Sequence, residues 1–469
     1  MSIAVAAIGL ATAQGNTAQI LEVKTPRPAE ALPWTPGKWN LSKICYPAVD
    51  SSLSGAARWQ ALVKRALDDL AEVSPATPLL VASCNGDASK NWEQAFDTTA
   101  LLEDTPWAGE RLPVFSSSCA SGIHALYAAR QLLLAGVADE ALVVAADILS
   151  QSNHENFESL RVLAAEPSAA WQSTGQGFIL GEAAVVLKLV RAGGDRSIDL
   201  ELRSDLDDYD GLSGVLEALS PGVPSLILGQ GTGPFQNDTA ELAAFTTFVD
   251  KHVPLATPLS HFGHTLGASG LLAAALGALS CNAQSGFASL TTDVSDALDG
   301  RPLYTAYAGG RPGKVLTTCR ALNGACAATV VGANVPAKTQ RRKEAWRKSM
   351  TPGPLVNATL RQMASEARDH RPIEPPDALI LRMEKPLSPP SSAIMGDRLL
   401  PSAVLEITPG FASQLVARSW GFSGPSLCLV GDVDHRVYGL KSAFQESGLN
   451  VFQVNLRGSG ENRVIEWNA

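Results

Sequence analysis

Long hydrophobic runs are missing from this chain. No apolar stretch reaches the ~18 residues that a helix needs to span a bilayer. The longest candidate, Leu266 to Leu279, is interrupted by glycines and is predicted to be a packed internal helix. The segment Met1 to Gln14 has an apolar run like that of a signal peptide but lacks the basic residues such peptides carry. We predict a buried first strand with a turn at Gly9, a signal peptide being the alternative, and no membrane span.

Paired cysteines and an excess of positive charge are also missing. The seven cysteines form no CxxC pair and no matching histidine spacing, which argues against a zinc site or a disulfide framework and favours a reducing, cytoplasmic location. Lys and Arg number 37 against 46 Asp and Glu, and the resulting net charge of −9 disfavours nucleic acid or an anionic membrane as the main partner.

Short apolar runs alternate with Ala- and Leu-rich helical segments along most of the chain. Such alternation predicts an α/β architecture with covered sheets, and 469 residues suggest two or three units. The predicted strands are Leu79–Ser83, Ala141–Ala145, Ala183–Leu189 and Ser225–Gly229, and the predicted helices include Gly55–Ala71, Ser121–Leu134 and Asp238–Lys251.

A boundary is predicted after Asn334. The stretch Lys338–Lys348 is dense in positive charge, and Pro-rich pieces follow it, as is typical of a linker, although a solvated helix face explains the charge equally well. We therefore predict a main domain over residues 1–335, a basic and Pro-rich linker over 336–376 and a second domain over 377–469.

Cys119 is the first candidate for chemistry. It lies in Phe115-Ser-Ser-Ser-Cys-Ala-Ser-Gly122, where a short apolar run ends and the predicted helix Ser121–Leu134 begins. A thiol at the first turn of a helix faces unpaired N–H groups and the positive end of the helix dipole, which favours the nucleophilic thiolate. The alternative is that Cys119 is a small buried residue, as most free cysteines are.

Three glycine-rich segments follow Cys119 in a distinctive order. They are Gly177-Phe-Ile-Leu-Gly-Glu-Ala-Ala184, Gln230-Gly-Thr-Gly-Pro-Phe-Gln-Asn-Asp238 and Gly263-His-Thr-Leu-Gly-Ala-Ser-Gly270. With the Cys119 segment, they resemble the signatures of the β-ketoacyl-acyl carrier protein synthases, or ketosynthases, of the thiolase-fold superfamily. The resemblance covers about residues 2–334 and implies a thiolase-like fold of α-β-α-β-α layers built from two related halves.

The resemblance implies a two-stage reaction. Cys119 takes an acyl group from a carrier-protein or CoA thioester, and a malonyl thioester then loses CO2 and attacks the acyl-enzyme. It also implies that His264 donates a hydrogen bond and acts as a general acid or base. The oxyanion hole is expected to use the N–H of Cys119 and one from the late loop at Asn323, Gly324 and Ala325.

Other matches imply structural roles. Glu182 and Asp238 are expected to bind loop backbone, and Thr232 is placed with them near the site. His124, on the helix after Cys119, is expected to be a packing residue. No cofactor and no metal ion are expected.

The sequence also departs from the family pattern. Gln230 stands where the family has the first histidine of its HGTGT motif; an amide can support an oxyanion but cannot transfer a proton near neutral pH. Leu259 replaces an expected lysine, whose role His261 could fill only in part. The gating loop survives only as Asn323-Gly-Ala-Cys-Ala-Ala-Thr329, without its phenylalanine.

The C-terminal segment carries a shorter resemblance. The sequence Leu415–Gly431 is similar to the approach to the active-site strand in ketosynthase N-terminal halves, with Val433 aligned to Cys119 and Cys428 expected in a buried strand. This predicts a degenerate thiolase half without a nucleophile; an unrelated α/β appendage is the alternative.

These observations favour a ketosynthase-family acyl-thioester transferase of fatty-acid-like or polyketide biosynthesis. A non-elongating acyltransferase and a non-catalytic, chain-length-factor-like subunit are the alternatives. The expected partners are an acyl carrier protein or acyl-CoA donor and a second subunit, either a copy of this chain or another ketosynthase-like chain. The arginines within 301–320 and 341–347 are candidates for binding an acidic carrier protein.

Overall fold

We describe a computed structural model of the chain. The residues it describes are 2–22, 27–35, 42–70, 73–87, 94–166, 170–171, 177–204, 211–233, 235–282, 312–336, 355, 357–387, 394–395, 398–399, 409–431, 440–446, 448–459 and 462–468.

The described residues of the first half of the main domain contain seven strands and five helices. Its five-stranded sheet has the order β5-β4-β6-β7-β1, in which β5, β4 and β6 are parallel and β7 is antiparallel to both β6 and β1. The elements are β1 Ile3–Thr12, α1 Thr17–Glu22, β2 Glu30–Ala31, β3 Ile44–Cys45, α2 Gly55–Asp68, β4 Leu79–Ala82, α3 Thr98–Leu101, β5 Val114–Phe115, α4 Ser121–Leu134, β6 Glu140–Asp147, α5 Gln151–Ser159 and β7 Ala183–Val190.

The second half repeats this topology. Its strands have the order β10-β9-β11-β12-β8, with β10, β9 and β11 parallel and β12 antiparallel to both β11 and β8. The elements are β8 Ser197–Ser204, α6 Gly211–Leu219, β9 Leu226–Leu228, α7 Phe235–Phe248, β10 Leu255–Ala256, α8 Leu259–Phe262, a 3-10 turn Leu266–Ala268, α9 Ser269–Asn282, β11 Lys314–Arg320 and β12 Ala325–Gly332.

Pairing of β1 with β8 joins the strands of the two halves in one continuous sheet, and the helices α4 and α9 form the middle layer between the two halves. Both are buried almost all round, they pack on each other, and they share one apolar cluster with strands of both halves. A helix that is apolar on every side is stable only when it is covered on every side. The expected thiolase-like layering is therefore present, and the run 266–279 is indeed an internal helix.

A C-terminal unit extends the sheet beyond β5. Its strands have the order β16-β13-β17-β18, with β13 parallel to β16 and β17, and β17 antiparallel to β18. This is the topology of each half without the first strand. The elements are α10 Ala358–Ala367, β13 Ala378–Met383, β14 Ile394–Met395, β15 Arg398–Leu399, α11 Pro409–Trp420, β16 Ser426–Val430, α12 Leu440–Glu446, β17 Val451–Ser459 and β18 Asn462–Asn468.

Most expected elements are present, with small differences. Helix α4 has the predicted bounds, but β1 continues through Gly9 and the turn follows at Thr12–Gly15. The segment 336–376 is not linker throughout, because α10 lies within it and packs on α11. Cys428 is buried in β16 as expected, whereas Val433 lies outside the described residues.

Among the described residues, every helix is too short or too polar to cross a bilayer.

Candidate functional site

Cys119 lies at a sharp turn between β5 and α4. Ser118, directly before it, has a positive φ of 54°. The Oγ of Ser121 holds this turn by accepting from the N–H of Ser117 at 2.9 Å and donating to the C=O of Ser118 at 2.6 Å. A non-glycine residue in this region of backbone space is strained, and such strain is typical of functional sites.

The Cys119 thiol is buried, with 2% of the residue exposed. Burial raises the pKa of Cys119 to about 11, although hydrogen bonds from Ser118 and from the backbone N–H groups of Cys119 and Leu322 oppose this. Burial therefore outweighs the expected preference of a helix N-terminus for thiolate. The resting side chain is a thiol near neutral pH.

Leu322, which the sequence did not single out, is the residue of the late loop nearest in function to the expected oxyanion donors, because it lines the same cavity as Cys119. The backbone N–H groups of Leu322 and Cys119 both favour the Cys119 thiolate and so lower the pKa of Cys119, although less than burial raises it. The N–H groups of the predicted residues Gly324 and Ala325 already bind Ala321 O at 3.0 Å and Asn323 Oδ1 at 3.1 Å. The side chain of Asn323 donates to Ser117 Oγ at 3.3 Å, so this residue braces the Cys119 turn.

His264 lies against Phe178, with ring centroids 4.5 Å apart. Its Nδ1 accepts the N–H of Leu266 at 3.0 Å, which places the ring proton on Nε2. Burial lowers the pKa of His264 to about 4. The residue is therefore a neutral Nε2–H donor at physiological pH.

Gln230 has a fixed amide orientation. Its Oε1 accepts the N–H of Arg320 at 2.9 Å, so Nε2 is the donor end. That Nε2 is buried and has no acceptor among the described residues. Like His264, Gln230 thus presents an N–H group.

Two carboxylates hold the Gln230 loop. Glu241 accepts the N–H groups of Gln230 and Gly231 at 2.8 and 2.9 Å, while Asp238 accepts those of Gly233 and Trp171. Burial, followed by the nearby Glu241 charge, raises the pKa of Asp238 to about 7. Asp238 therefore binds loop backbone as expected, and Thr232 lies beside it, accepting a 3.5 Å bond from Asn237.

Glu182 also binds backbone, at the junction of several loops. It forms a buried ion pair with Arg58 at 2.7 Å and accepts the N–H groups of Ala48, Val49 and Leu149. This is a structural role.

Asp147, at the end of β6, was not predicted from the sequence. Its carboxylate accepts from Ser83 Oγ and from the N–H groups of Cys84, Asn85 and Gly267. It thereby ties the segment after His264 to the end of β4. Because an Asp at the end of a buried strand is a common pattern, no signal in the sequence singled out Asp147.

The remaining predicted positions are packing residues or neighbours of the site. His124 is fully buried, and its ring nitrogens have no hydrogen-bond partner among the described residues. Leu259 begins α8, and His261 is buried, with Nδ1 3.1 Å from Ser260 Oγ. No cluster of three or more His, Cys, Asp or Glu suited to a metal ion occurs in the described part of the chain.

One cavity of about 180 Å³ brings the candidates together. Cys119, Gln230 and His264 all line it, and Leu322 lies at its exposed edge. The cavity thus places a nucleophile beside two N–H donors.

The comparisons with known proteins agree with this architecture. Residues 113–192, from β5 through β7, match the family model "Beta-ketoacyl synthase, N-terminal domain". This is a ketosynthase fold. A comparison with curated protein sequences gives no match.

Solved structures with the ketosynthase fold are similar to this chain at low sequence identity. A chain of the complex of ketosynthase ApeO with its chain length factor ApeC from Xenorhabdus doucetiae is 19% identical, with a TM-score of 0.57, over 71% of this chain and 98% of that one. The PfaC keto synthase–chain length factor protein is 14% identical, with a TM-score of 0.72, over 98% of this chain and 74% of that one. A β-ketoacyl synthase from Burkholderia phymatum is 16% identical, with a TM-score of 0.56, over 71% and 99%.

Proposed function

We propose that this protein is an acyl-thioester transferase that forms an acyl-enzyme on Cys119. The observation that carries the proposal is that one cavity is lined by Cys119, Leu322, His264 and Gln230, and that the Leu322 N–H favours the Cys119 thiolate. A carrier-protein or CoA thioester is the donor.

Loading begins with loss of the Cys119 proton and attack of sulfur on the thioester carbonyl carbon. The carbonyl oxygen becomes an oxyanion, which the N–H groups of Cys119 and Leu322 stabilise. The C–S bond of the donor then breaks, and the leaving thiolate takes up the proton that Cys119 lost. The acyl group remains on Cys119.

The second stage uses the other pair of donors. The Nε2–H groups of His264 and Gln230 hold the oxygen of the incoming thioester, where enolate charge develops if a malonyl group loses CO2. The new carbon–carbon bond forms at the acyl carbonyl, and the Cys119 thiolate leaves. Because His264 keeps its proton on Nε2 and Gln230 cannot titrate, both act as hydrogen-bond donors rather than bases.

A second candidate function is a non-catalytic, chain-length-factor-like subunit. Gln230 in place of a histidine, Leu259 in place of a lysine and the shortened loop at Asn323 favour it. The similarity to ketosynthase–chain length factor structures is consistent with it. A non-elongating acyltransferase uses the first stage alone.

The test is acyl loading. The purified protein is incubated with a panel of acyl-carrier-protein and acyl-CoA thioesters, and the intact mass and the modified peptide are determined. We expect an adduct on Cys119 that C119A lacks. Absence of an adduct from every donor, with candidate partner subunits present as well as absent, would support the non-catalytic role.

Extension is tested separately with malonyl thioester. CO2 release by the wild-type protein indicates a condensing enzyme. Release only by Q230H indicates that the amide is what limits this protein to acyl transfer.

A further inference from the structure

The C-terminal unit and the first half of the main domain are joined edge to edge by one pair of strands, β16 and β5. On one side the order is β5-β4-β6-β7 and on the other it is β16-β13-β17-β18, with the same strand directions within each set. The two sets meet where Leu429 pairs with Phe115 and Val430 with Val114, antiparallel. Antiparallel pairing of equivalent strands relates the two units by a local two-fold axis, as in an isologous dimer.

Three contacts place the C-terminal unit directly on the Cys119 turn and on the helix α4 that follows it. The N–H of Ser116 donates to Cys428 O in β16 at 3.0 Å. A Cβ added at Gly410, at the start of α11, would lie 2.5 Å from Ser117 Cα, so the two backbones are in close contact. Tyr127 of α4 packs edge-to-face on Phe444 of α12, with centroids 6.1 Å apart.

Arg418 brings the C-terminal unit into the cavity itself. It lies in the last turn of α11, is partly buried and lines the same cavity as Cys119. A guanidinium has five N–H donors and can bind a carboxylate or phosphate while keeping other contacts.

We propose that the C-terminal unit is a built-in half-partner. It pairs with the β5 edge, which would otherwise be an open sheet edge available to a second subunit, and it completes the site with Arg418, which binds an anionic group of the ligand. One chain therefore holds a whole site, and any second subunit binds elsewhere than at β5. The assignment of the anion to a thioester substrate depends on the function proposed above. The pairing of the C-terminal unit with β5 and the place of Arg418 in the cavity do not depend on it.

Two alkylating reagents test Arg418 without requiring any thioester chemistry. Iodoacetate carries a negative charge and iodoacetamide is neutral, and both alkylate a cysteine. We expect R418A to lower the ratio of the iodoacetate rate to the iodoacetamide rate at Cys119 about tenfold. R418K should keep most of this ratio. R457A, on β17 of the same unit, should leave it unchanged. An unchanged ratio in an R418A protein with wild-type circular dichroism would overturn the proposal.

Mixing two variants tests whether the site belongs to one chain. R418A supplies Cys119, and an excess of C119A supplies Arg418. We expect the ratio for R418A to stay low in the mixture. A restored ratio would show that Arg418 reaches the site from another copy, and the built-in half-partner would be rejected.

The same variants separate this inference from the function. If R418A lowers the alkylation ratio but no thioester loads the wild type, the acyl transferase proposal fails and the half-partner stands. If loading occurs, two pairs of thioesters identify the anion. One pair differs only in an acyl carboxylate, and the other differs only in the phosphate of phosphopantetheine. The pair whose anion binds Arg418 should load at different rates on the wild type and at equal rates on R418A.

Discussion

The chemistry of Cys119 is set by two opposing residue-scale effects. Its position beside the N-terminus of α4 favours thiolate, whereas removal of the sulfur from water favours the neutral thiol. Burial is the larger effect and raises the pKa of Cys119 to about 11. Reaction with a donor thus requires the thiol to lose its proton within the site.

This balance predicts the pH dependence of Cys119 alkylation. Below a pKa of about 11, the thiolate fraction rises tenfold with each pH unit. We expect the rate with iodoacetamide, followed by peptide mass spectrometry, to rise about tenfold per unit from pH 7 to pH 10. A rate that is constant above pH 7 would mean that the helix N-terminus dominates; C119S identifies labelling at other cysteines.

Gln230 gives a second residue-scale prediction. In Q230M the side-chain volume is kept but the Nε2 donor is lost, and loss of one oxyanion donor typically lowers kcat by about 10²–10³. We expect transfer to the acceptor to fall by that factor while loading of Cys119 changes little. The exposed Gln236 provides the control, Q236M. Equal losses in loading and transfer would contradict the assignment of Gln230 to the second stage.

At the scale of elements, the site depends on close packing of turns. Gly267 lies in the 3-10 turn after His264, and a Cβ there would meet Asp147 Oδ2 and Cys84 N, both at 2.6 Å. The segment that carries His264 therefore packs closely on the end of β4, because Gly267 has no side chain and its N–H binds the Asp147 carboxylate.

We expect G267A to destabilise the protein by about 1–3 kcal/mol, because it overpacks this contact. Gly277, in α9, is the matched control, since its nearest side-chain neighbours would be at 3.4 Å and alanine stabilises a helix interior by about 0.5–1 kcal/mol. Denaturant unfolding measures both. Equal effects of the two substitutions would exclude the steric explanation.

The Arg58–Glu182 pair holds three loops and gives a further element-scale prediction. E182Q leaves Arg58 buried without its counter-charge, which typically destabilises by about 3–5 kcal/mol. The exposed pair Lys64–Asp68 is the control, and K64A should change stability by at most about 1 kcal/mol. A small effect of E182Q in denaturant unfolding would show that the pair does not hold the loops.

On the scale of the whole molecule, the C-terminal unit shares its core with the main domain. One apolar cluster joins Phe115, Ala120 and Ile123 to Ile380 and Phe444. A shared core makes independent unfolding unfavourable, because either unit alone would expose its part of the cluster.

We therefore expect one cooperative thermal transition for the whole chain. F444A, which removes a buried ring, should destabilise by about 3–5 kcal/mol and lower the Tm of that single transition. Calorimetry with hydrogen exchange of peptides from both units measures this. A separate, lower transition confined to 440–459 would show that the C-terminal unit folds independently.

Local sequence signals were enough to predict the local features of this protein. The small-residue helix after Cys119 was predicted at about Ser121–Leu134, the bounds it has in the structure, because these depend on local signals: the turn before Ser121 and Gly136, whose φ is +76°. That Cys119, Gln230 and His264 share a site was expected only because their motifs resemble ketosynthase signatures, each of which is a contiguous segment. The third copy of the strand topology was also anticipated from the sequence around Leu415–Gly431.

Only the tertiary structure decided how these segments act on one another. Burial sets the Cys119 pKa, and a backbone N–H, which has no side-chain identity, makes Leu322 part of the site. The pairing of β16 with β5 and the entry of Arg418 into the cavity join residues about 300 positions apart. Such contacts depend on solvent exclusion and long-range packing, which no local pattern encodes.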